Sequence, residues 1–416
     1  MKKVLAVIAF SISLGLNIAQ AQSPGPAPAP ESRARVIAPI QPDANRAPEV
    51  VPTDQATDPV STASATEKSF GPARTLSPNV IRLRIADAQR LFKTRPHQTS
   101  LTSPVLDVVT VALLDQKTSR IHSLALSKVT FLTKGAELNM TTSLGTPVTL
   151  RVLRANGVNT AVTVVDNLGH SLTPLAVEFP IEHNGVFREL AYYTSAHPAL
   201  LSPELARAGQ AYVRSMIDLA VSRLREKGTF IAPNIVDVAE HLCLVEHVDH
   251  DRFRNENRLA LFGEIYSLYA LNERETYRYS VSVAGAGGMV QMIPWAYNLE
   301  RQRHPGVGLM PDFVAGMRNH PNALQAMLLY MQDTWNELAV HEDVKAALDA
   351  KMATPTELLA AGYNSNAAKL PGYLRRGGSG WRTLIPRETQ IYLQIYKTLD
   401  GLVPVKPRLV ETRPGN

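Results

Sequence analysis

Three stretches of this sequence carry side chains whose types and spacing could do chemistry. The first, Ser282-Val283-Ala284-Gly285-Ala286-Gly287-Gly288-Met289-Val290-Gln291-Met292-Ile293-Pro294, is a run of small residues closing on an amide, two methionines and a proline. Glycines at 285, 287 and 288 let a backbone take positive φ and approach a ligand closely, and Gln291 offers that ligand a donor and an acceptor. The second is Ala361-Gly362-Tyr363-Asn364-Ser365-Asn366, which holds a phenol beside an amide. The third is Leu242-Cys243-Leu244-Val245-Glu246-His247, where a carboxyl ends an apolar run. Taking a carboxyl out of water disfavours its charged form, so an acid placed there keeps its proton to higher pH and can donate it and later take it back. Glu273 has the opposite setting in Asn272-Glu273-Arg274-Glu275-Thr276, a polar, solvated stretch. Glu246-His247-Val248-Asp249-His250-Asp251 also carries His and Asp at short spacing that could chelate zinc. It lacks H-E-x-x-H and a distant third ligand, so it reads as polar residues finishing a helix, and neither a metal nor a cofactor is expected.

The first two stretches, taken in order, resemble the soluble lytic transglycosylase family, whose domain carries an A-G-A-x-G-L-M-Q-x-x-P segment and later an A-Y-N-x-G segment. Here Met289-Val290 replaces Leu-Met, and Ser365-Asn366 departs from the usual ending. The likeness covers about 200–399, roughly half of the chain, and not the region before it. It implies a lysozyme-like helical domain with a groove between lobes, acting on peptidoglycan glycan strands. The implied reaction cleaves the MurNAc-β-1,4-GlcNAc bond with one Glu, the substrate's N-acetyl group assisting, and leaves 1,6-anhydroMurNAc ends. Ser282, Gly288, Met289, Gln291, Tyr363 and Asn364 fall on the substrate-binding positions. For the acid, two arguments compete. Glu273 lies eighteen residues before Gln291, the family's usual spacing, with Ser282 at the family's serine position. Glu246 ends an apolar helix as the family's catalytic Glu does, and Ile231-Ala232-Pro233-Asn234-Ile235 resembles the family's approach to that helix. Glu246 is preferred, with Arg254 to Tyr279 as an insertion; Glu273 is the alternative, and Glu264 a third carboxylate that an ordinary surface helix would also carry. A hydrolytic muramidase of the same fold, and a catalytically inactive wall-binding or scaffold protein, are the other readings.

These residues must be positioned by elements the rest of the chain supplies. Met1-Lys2-Lys3, an apolar run from Val4 to Ile18 and Ala19-Gln20-Ala21 have the form of a secretory signal peptide, residues 1–21, which implies a periplasmic protein. The single cysteine, Cys243, lies far from that cleavage site, so no lipid anchor is expected, and no later run is apolar enough for an integral membrane segment. Residues 22–78 are Pro-, Ala-, Ser- and Thr-rich and read as a disordered linker. Residues 79–195 alternate β-branched and polar residues, as in Val148-Thr149-Leu150-Arg151-Val152, with Asn156-Gly157 and Asn184-Gly185 as type I′ hairpin signals. An antiparallel all-β domain is expected there, a scaffold or a docking module for another envelope protein.

From 196 to 403 the period is helical, so the fold class is α+β multidomain: the β domain, then an all-α lysozyme-like domain and a flexible tail, 404–416. Helices are expected from Ser202-Pro203 to Gly228 with a stripe of Leu205, Ala208, Tyr212, Met216, Leu219 and Leu224, from just after Ala232-Pro233-Asn234 to about His247, and over 258–271, 293–303, 323–338, 354–362 and 387–399. Thr354-Pro355-Thr356-Glu357 is a capping box that puts Tyr363-Asn364 just past a helix end. Trp295, Trp335 and Trp381 are expected in cores, and Gly377-Gly378-Ser379-Gly380 as a mobile loop. The chain has 43 Lys and Arg against 37 Asp and Glu. Scattered charges without a basic and aromatic pattern argue against a nucleic-acid partner.

Overall fold

The structure is a computed structural model that describes residues 76–95, 107–183, 185–282 and 285–409. The expected signal peptide, nearly all of the expected linker, Val283-Ala284 and the chain from residue 410 lie outside the described residues.

The strand patterning gives a seven-stranded antiparallel sheet curved into a half-barrel: β1 (Val108–Asp115), β2 (Arg120–Ser127), β3 (Glu137–Thr141), β4 (Pro147–Arg154), β5 (Ala161–Asp166), β6 (Ser171–His183) and β7 (Val186–Thr194). Its order is β2-β1-β6-β5-β4-β3, with β7 also on β6. β6 is long enough to pair with β5 at its start, through Leu172 and Ser171, and then with β1 and β7 along its remainder. On β1, Val109, Val111 and Leu113 enter the core inside the curve, while Ala112 and Leu114 point to the opposite face. That second apolar face needs a cover.

The cover corrects the expectation that residues 79–195 are all β: α1 (Pro78–Thr94) is a helix of seventeen residues. Ser77-Pro78 opens it, and Ile81, Ile85, Ala88 and Phe92 recur at helical spacing to bury one stripe against Ala112, Leu114, Leu175 and Ala176. Fully burying a side chain such as Ile81 or Phe92 is worth about 2 kcal/mol. A four-residue turn, α2 (Lys128–Phe131), seats Phe131 under the sheet. The Asn156-Gly157 signal marks a six-residue loop between β4 and β5 rather than a two-residue turn, with Val158 tucked inward. The β6–β7 hairpin does turn at Gly185, φ 72°; Asn184 lies outside the described residues.

The helical part follows in the order α3 (Pro203–Glu226), α4 (Pro233–Val245), α5 (His250–Asn255), α6 (Arg258–Asn272), α7 (Pro294–Arg303), α8 (Phe313–Arg318), α9 (His320–Ala339), α10 (Glu342–Asp349), α11 (Pro355–Asn364), α12 (Leu370–Gly377) and α13 (Arg387–Leu402). Ser202 caps α3 by accepting from the Leu205 amide. The buried stripe of α3 is Leu205, Gly209, Val213, Ile217, Ala220 and Leu224, rotated one position from the expected one. Gly209 sets that rotation, because a Cβ there would lie 1.8 Å from the Tyr266 carbonyl oxygen on α6, so only glycine lets the two helices cross. The short helices α5, α8, α10 and α12 were not expected.

Sheet and helices share cores. Leu200, Leu205 and Ala270 join the cluster under α1, the Thr194 amide donates to Asn272 Oδ1 (2.8 Å), and the Tyr277 amide donates to the Tyr193 hydroxyl (3.1 Å). Trp381 is buried, Trp335 is partly buried, and Trp295 is exposed, which corrects the core placement expected for it. The Gly377-Gly378-Ser379-Gly380 run, expected as a mobile loop, instead ends α12 and begins a short 3-10 segment, Gly378–Thr383, around Trp381. Past the expected fraying point Arg408 pairs with Asp218, Asp237 and Glu240. Among the described residues no helix is long and apolar enough to cross a membrane.

Candidate active site

α4 is buried nearly all round, with Ile235, Val236, Val238, Ala239, Leu242, Cys243, Leu244 and Val245 as its apolar surface beside the buried Glu240 and His241, and Glu246 is its C-terminal cap. The Glu246 side chain is half-buried, yet its carboxyl sits low in a cleft. Tyr392 on α13 donates its hydroxyl to Glu246 Oε1 at 2.5 Å. Burial pushes the Glu246 carboxyl up to about 8; the Tyr392 hydrogen bond pulls in the other direction, and the negative charge of Glu388, one turn earlier on α13, adds to the rise. Glu246 is therefore mostly protonated at neutral pH, the state a general acid needs.

The glycine-rich turn packs beside it. Gly288 has φ 69°, and a Cβ there would meet the Met317 carbonyl oxygen at 2.4 Å, so the turn can lie against α8 only with glycine. Two side chains from the helical walls hold this turn by its carbonyls. Tyr363 donates to the Val290 oxygen (2.7 Å), and His247 Nε2 bonds the Met289 oxygen (3.0 Å). That contact puts the proton on Nε2, and burial lowers the His247 pKa to about 3, so the ring is neutral. Its plane lies on Tyr277 with centroids 3.4 Å apart. Gln291 has left-handed backbone, φ 45°, and spends its amide nitrogen on Gly288 O (2.8 Å) and Ser280 Oγ (3.1 Å). Met289 is fully buried, so it serves the turn through its backbone.

Glu246, His247, Gln291, Ser280 and Tyr277 line a cleft of about 330 Å³ whose opposite wall comes from the β4–β5 loop, with Asn156 and Asn159, and from Arg154, Arg252 and Glu264. Glu264 is a buried bridge, accepting from Arg154 (2.6 Å) and from Arg252 (2.8 and 3.0 Å). A larger hollow of about 540 Å³, lined by Arg223, Arg274, Arg278 and Arg318, contains none of the expected site residues.

The remaining expected residues fall around this cluster. Glu273 is exposed, with φ 46°, and begins the one-turn segment after α6; it is not among the residues lining the Glu246 cleft. Ser282 is exposed and braces the turn, its Oγ accepting from the Ala286 amide (3.0 Å). Tyr363 and Asn364 are the last residues of α11 rather than lying past it, and Asn364 Oδ1 accepts from Thr389 Oγ1 (2.8 Å), tying α11 to the helix that carries Tyr392. In the His and Asp cluster, Asp249 caps α5 and His247 serves the turn.

Sequence reasoning missed Tyr392, Ser280 and Glu388. Tyr392 had a weak signal as a phenol on an expected helix, but nothing in the local pattern aims it at Glu246. No family model, curated protein or solved structure matches the chain.

Proposed function

We propose that the protein cleaves the MurNAc-β-1,4-GlcNAc bond of peptidoglycan glycan strands as an exported lytic transglycosylase, with Glu246 as its single general acid and base. The observation that carries this reading is the Glu246 carboxyl, held protonated near neutral pH in a cleft beside the Gln291 turn. Glu246 delivers its proton to the glycosidic oxygen as the bond breaks. The resulting carboxylate is steadied by the Tyr392 hydroxyl and then takes a proton from the attacking C6 hydroxyl, closing the 1,6-anhydro ring. Gln291, Ser280, Asn156 and Asn159 offer polar groups for N-acetyl and hydroxyl substituents. Trp295, exposed just after the Gln291 turn, offers an apolar face for a sugar ring.

Digestion of purified sacculi followed by mass spectrometry of the fragments tests the reading. Anhydro ends are expected from the wild type, with cleavage falling by two or more orders of magnitude in Glu246→Gln. Wild-type protein that folds and leaves sacculi uncut would point instead to a wall-binding role. One observation favours hydrolysis as the second reading. Glu388 is exposed on α13 near enough for its charge to act on Glu246, and a second carboxylate could activate water. Reducing ends as the main product, lost in Glu388→Gln, would establish that route.

A further inference from the structure

Behind the candidate active site, α7 and α9 bring three ligand-type side chains together. Glu300 and His304 are four residues apart, on one face at the end of α7, and Asp333 faces them from α9. One donor atom from each lies within 4.8 Å of the others. His304 Nε2 is 2.9 Å from Asp333 Oδ2 and 3.5 Å from Glu300 Oε2.

A second observation sets this group apart from an ordinary acidic cluster. The Glu300 side chain is fully buried, and neither of its carboxylate oxygens has a hydrogen-bond partner. A buried carboxylate without partners is expensive. The surrounding charges offset it only in part. Arg303 reaches Asp333 (3.6 Å) and Glu337 (3.2 Å), so one cation faces three carboxylates. His304 and Asp333 are about one-fifth exposed, which leaves a path from solvent to the buried oxygens.

We propose that Glu300, His304 and Asp333 bind one divalent transition-metal ion of the zinc class, which ties α7 to α9. One imidazole nitrogen and two carboxylate oxygens suit Zn²⁺ or its cobalt substitute better than Mg²⁺ or Ca²⁺, which prefer all-oxygen shells. The role is structural. α7 begins three residues after Gln291, and Tyr330, one turn before Asp333 on α9, meets Tyr363 edge-on with ring centroids 5.9 Å apart. An ion here would stiffen the wall behind the turn without touching the reacting bond. The sequence carries a faint signal for it, a Glu-x-x-x-His spacing near the end of an expected helix, with nothing local to nominate Asp333.

Untagged full-length protein, stripped with chelator and dialysed, is titrated with ZnCl₂ by calorimetry and with CoCl₂ while visible absorption is followed. The wild type should bind one equivalent, show a cobalt–imidazole spectrum and melt at higher temperature with zinc than without. His304→Gln and Asp333→Asn, both at partly exposed positions, should lose at least tenfold in affinity and the thermal gain. Three results would overturn the proposal. The wild type binds no zinc; or both variants bind as the wild type does, which would move the ion to another cluster such as His247–Asp251; or Glu300→Gln, without metal, equals the wild type with zinc in excess, showing that Glu300 is simply a neutral buried acid.

Discussion

Burial and Tyr392 act on Glu246 in opposite directions. The Tyr392 hydroxyl favours the ionised carboxylate while burial opposes it, and burial wins, leaving the group titrating at about 8. Cleavage of sacculi should therefore decline as pH rises past about 8, because the acid has lost its proton. Tyr392→Phe removes the hydrogen bond that favours ionisation, so the same limb should move to higher pH, and in the proposed reaction kcat should fall because the carboxylate would lose its donor. A limb that stays in place would separate Tyr392 from the acid. Stability carries the same signature. The folded state holds the Glu246 proton more tightly than the unfolded chain, whose ordinary value is 4.5, so this group costs stability progressively as pH rises from about 4.5 to about 8. Glu246→Gln, which has no proton to lose, should gain on the wild type across that window in denaturant melts. Glu273→Gln, at an exposed position, should change neither activity nor stability measurably.

Between elements, the Arg154–Glu264–Arg252 bridge joins β4, α6 and α5 along one wall of the cleft. Removing the acid takes Arg154 off its carboxylate and leaves the partly buried Arg252 with Glu256 alone, so Glu264→Ala should cost about 3 kcal/mol in urea unfolding, whereas a surface carboxylate on the same helix would cost little. By its sequence context alone, Glu264 is an acid that an ordinary surface helix would also carry. Its burial is decided by Arg154, 110 positions earlier in the chain, and no local pattern reports such a pairing. What is written locally was legible: the Ser202-Pro203 start, the burial of α4 and the Thr354–Glu357 capping box. α1 was hidden for another reason. Its stripe of Ile81, Ile85, Ala88 and Phe92 is interrupted by basic and polar residues, and the apolar face it covers exists only once β1 and β6 are paired. The same limit applies to the site. Glu246, the Gly288–Gln291 turn and Tyr363 can be found as motifs, but the Tyr392 contact and the sheet's contribution to the cleft wall depend on how distant segments meet.

For the molecule as a whole, the sheet is structurally continuous with the helical part. Leu205, Leu268, Ala270 and Asn272 are buried against strands or against α1, so the helical half expressed alone from Leu200 would expose an apolar face and leave Asn272 Oδ1 without its donor. That fragment should lack a cooperative thermal transition that the full chain shows; a sharp melt from it would mean that the two halves fold independently. Cys243, the chain's single thiol, is fully buried in α4 one turn before Glu246. Burial raises its pKa, so in the closed molecule it is both shielded and protonated, and a thiol reagent can reach it only during an opening event. The labelling rate of this single position thus counts how often the helix that carries the acid comes apart. If that rate follows denaturant as global unfolding does, the acid's support opens only with the entire fold; a fast rate indifferent to denaturant would reveal a private excursion of α4, and with it intermittent loss of the site in molecules that otherwise remain native.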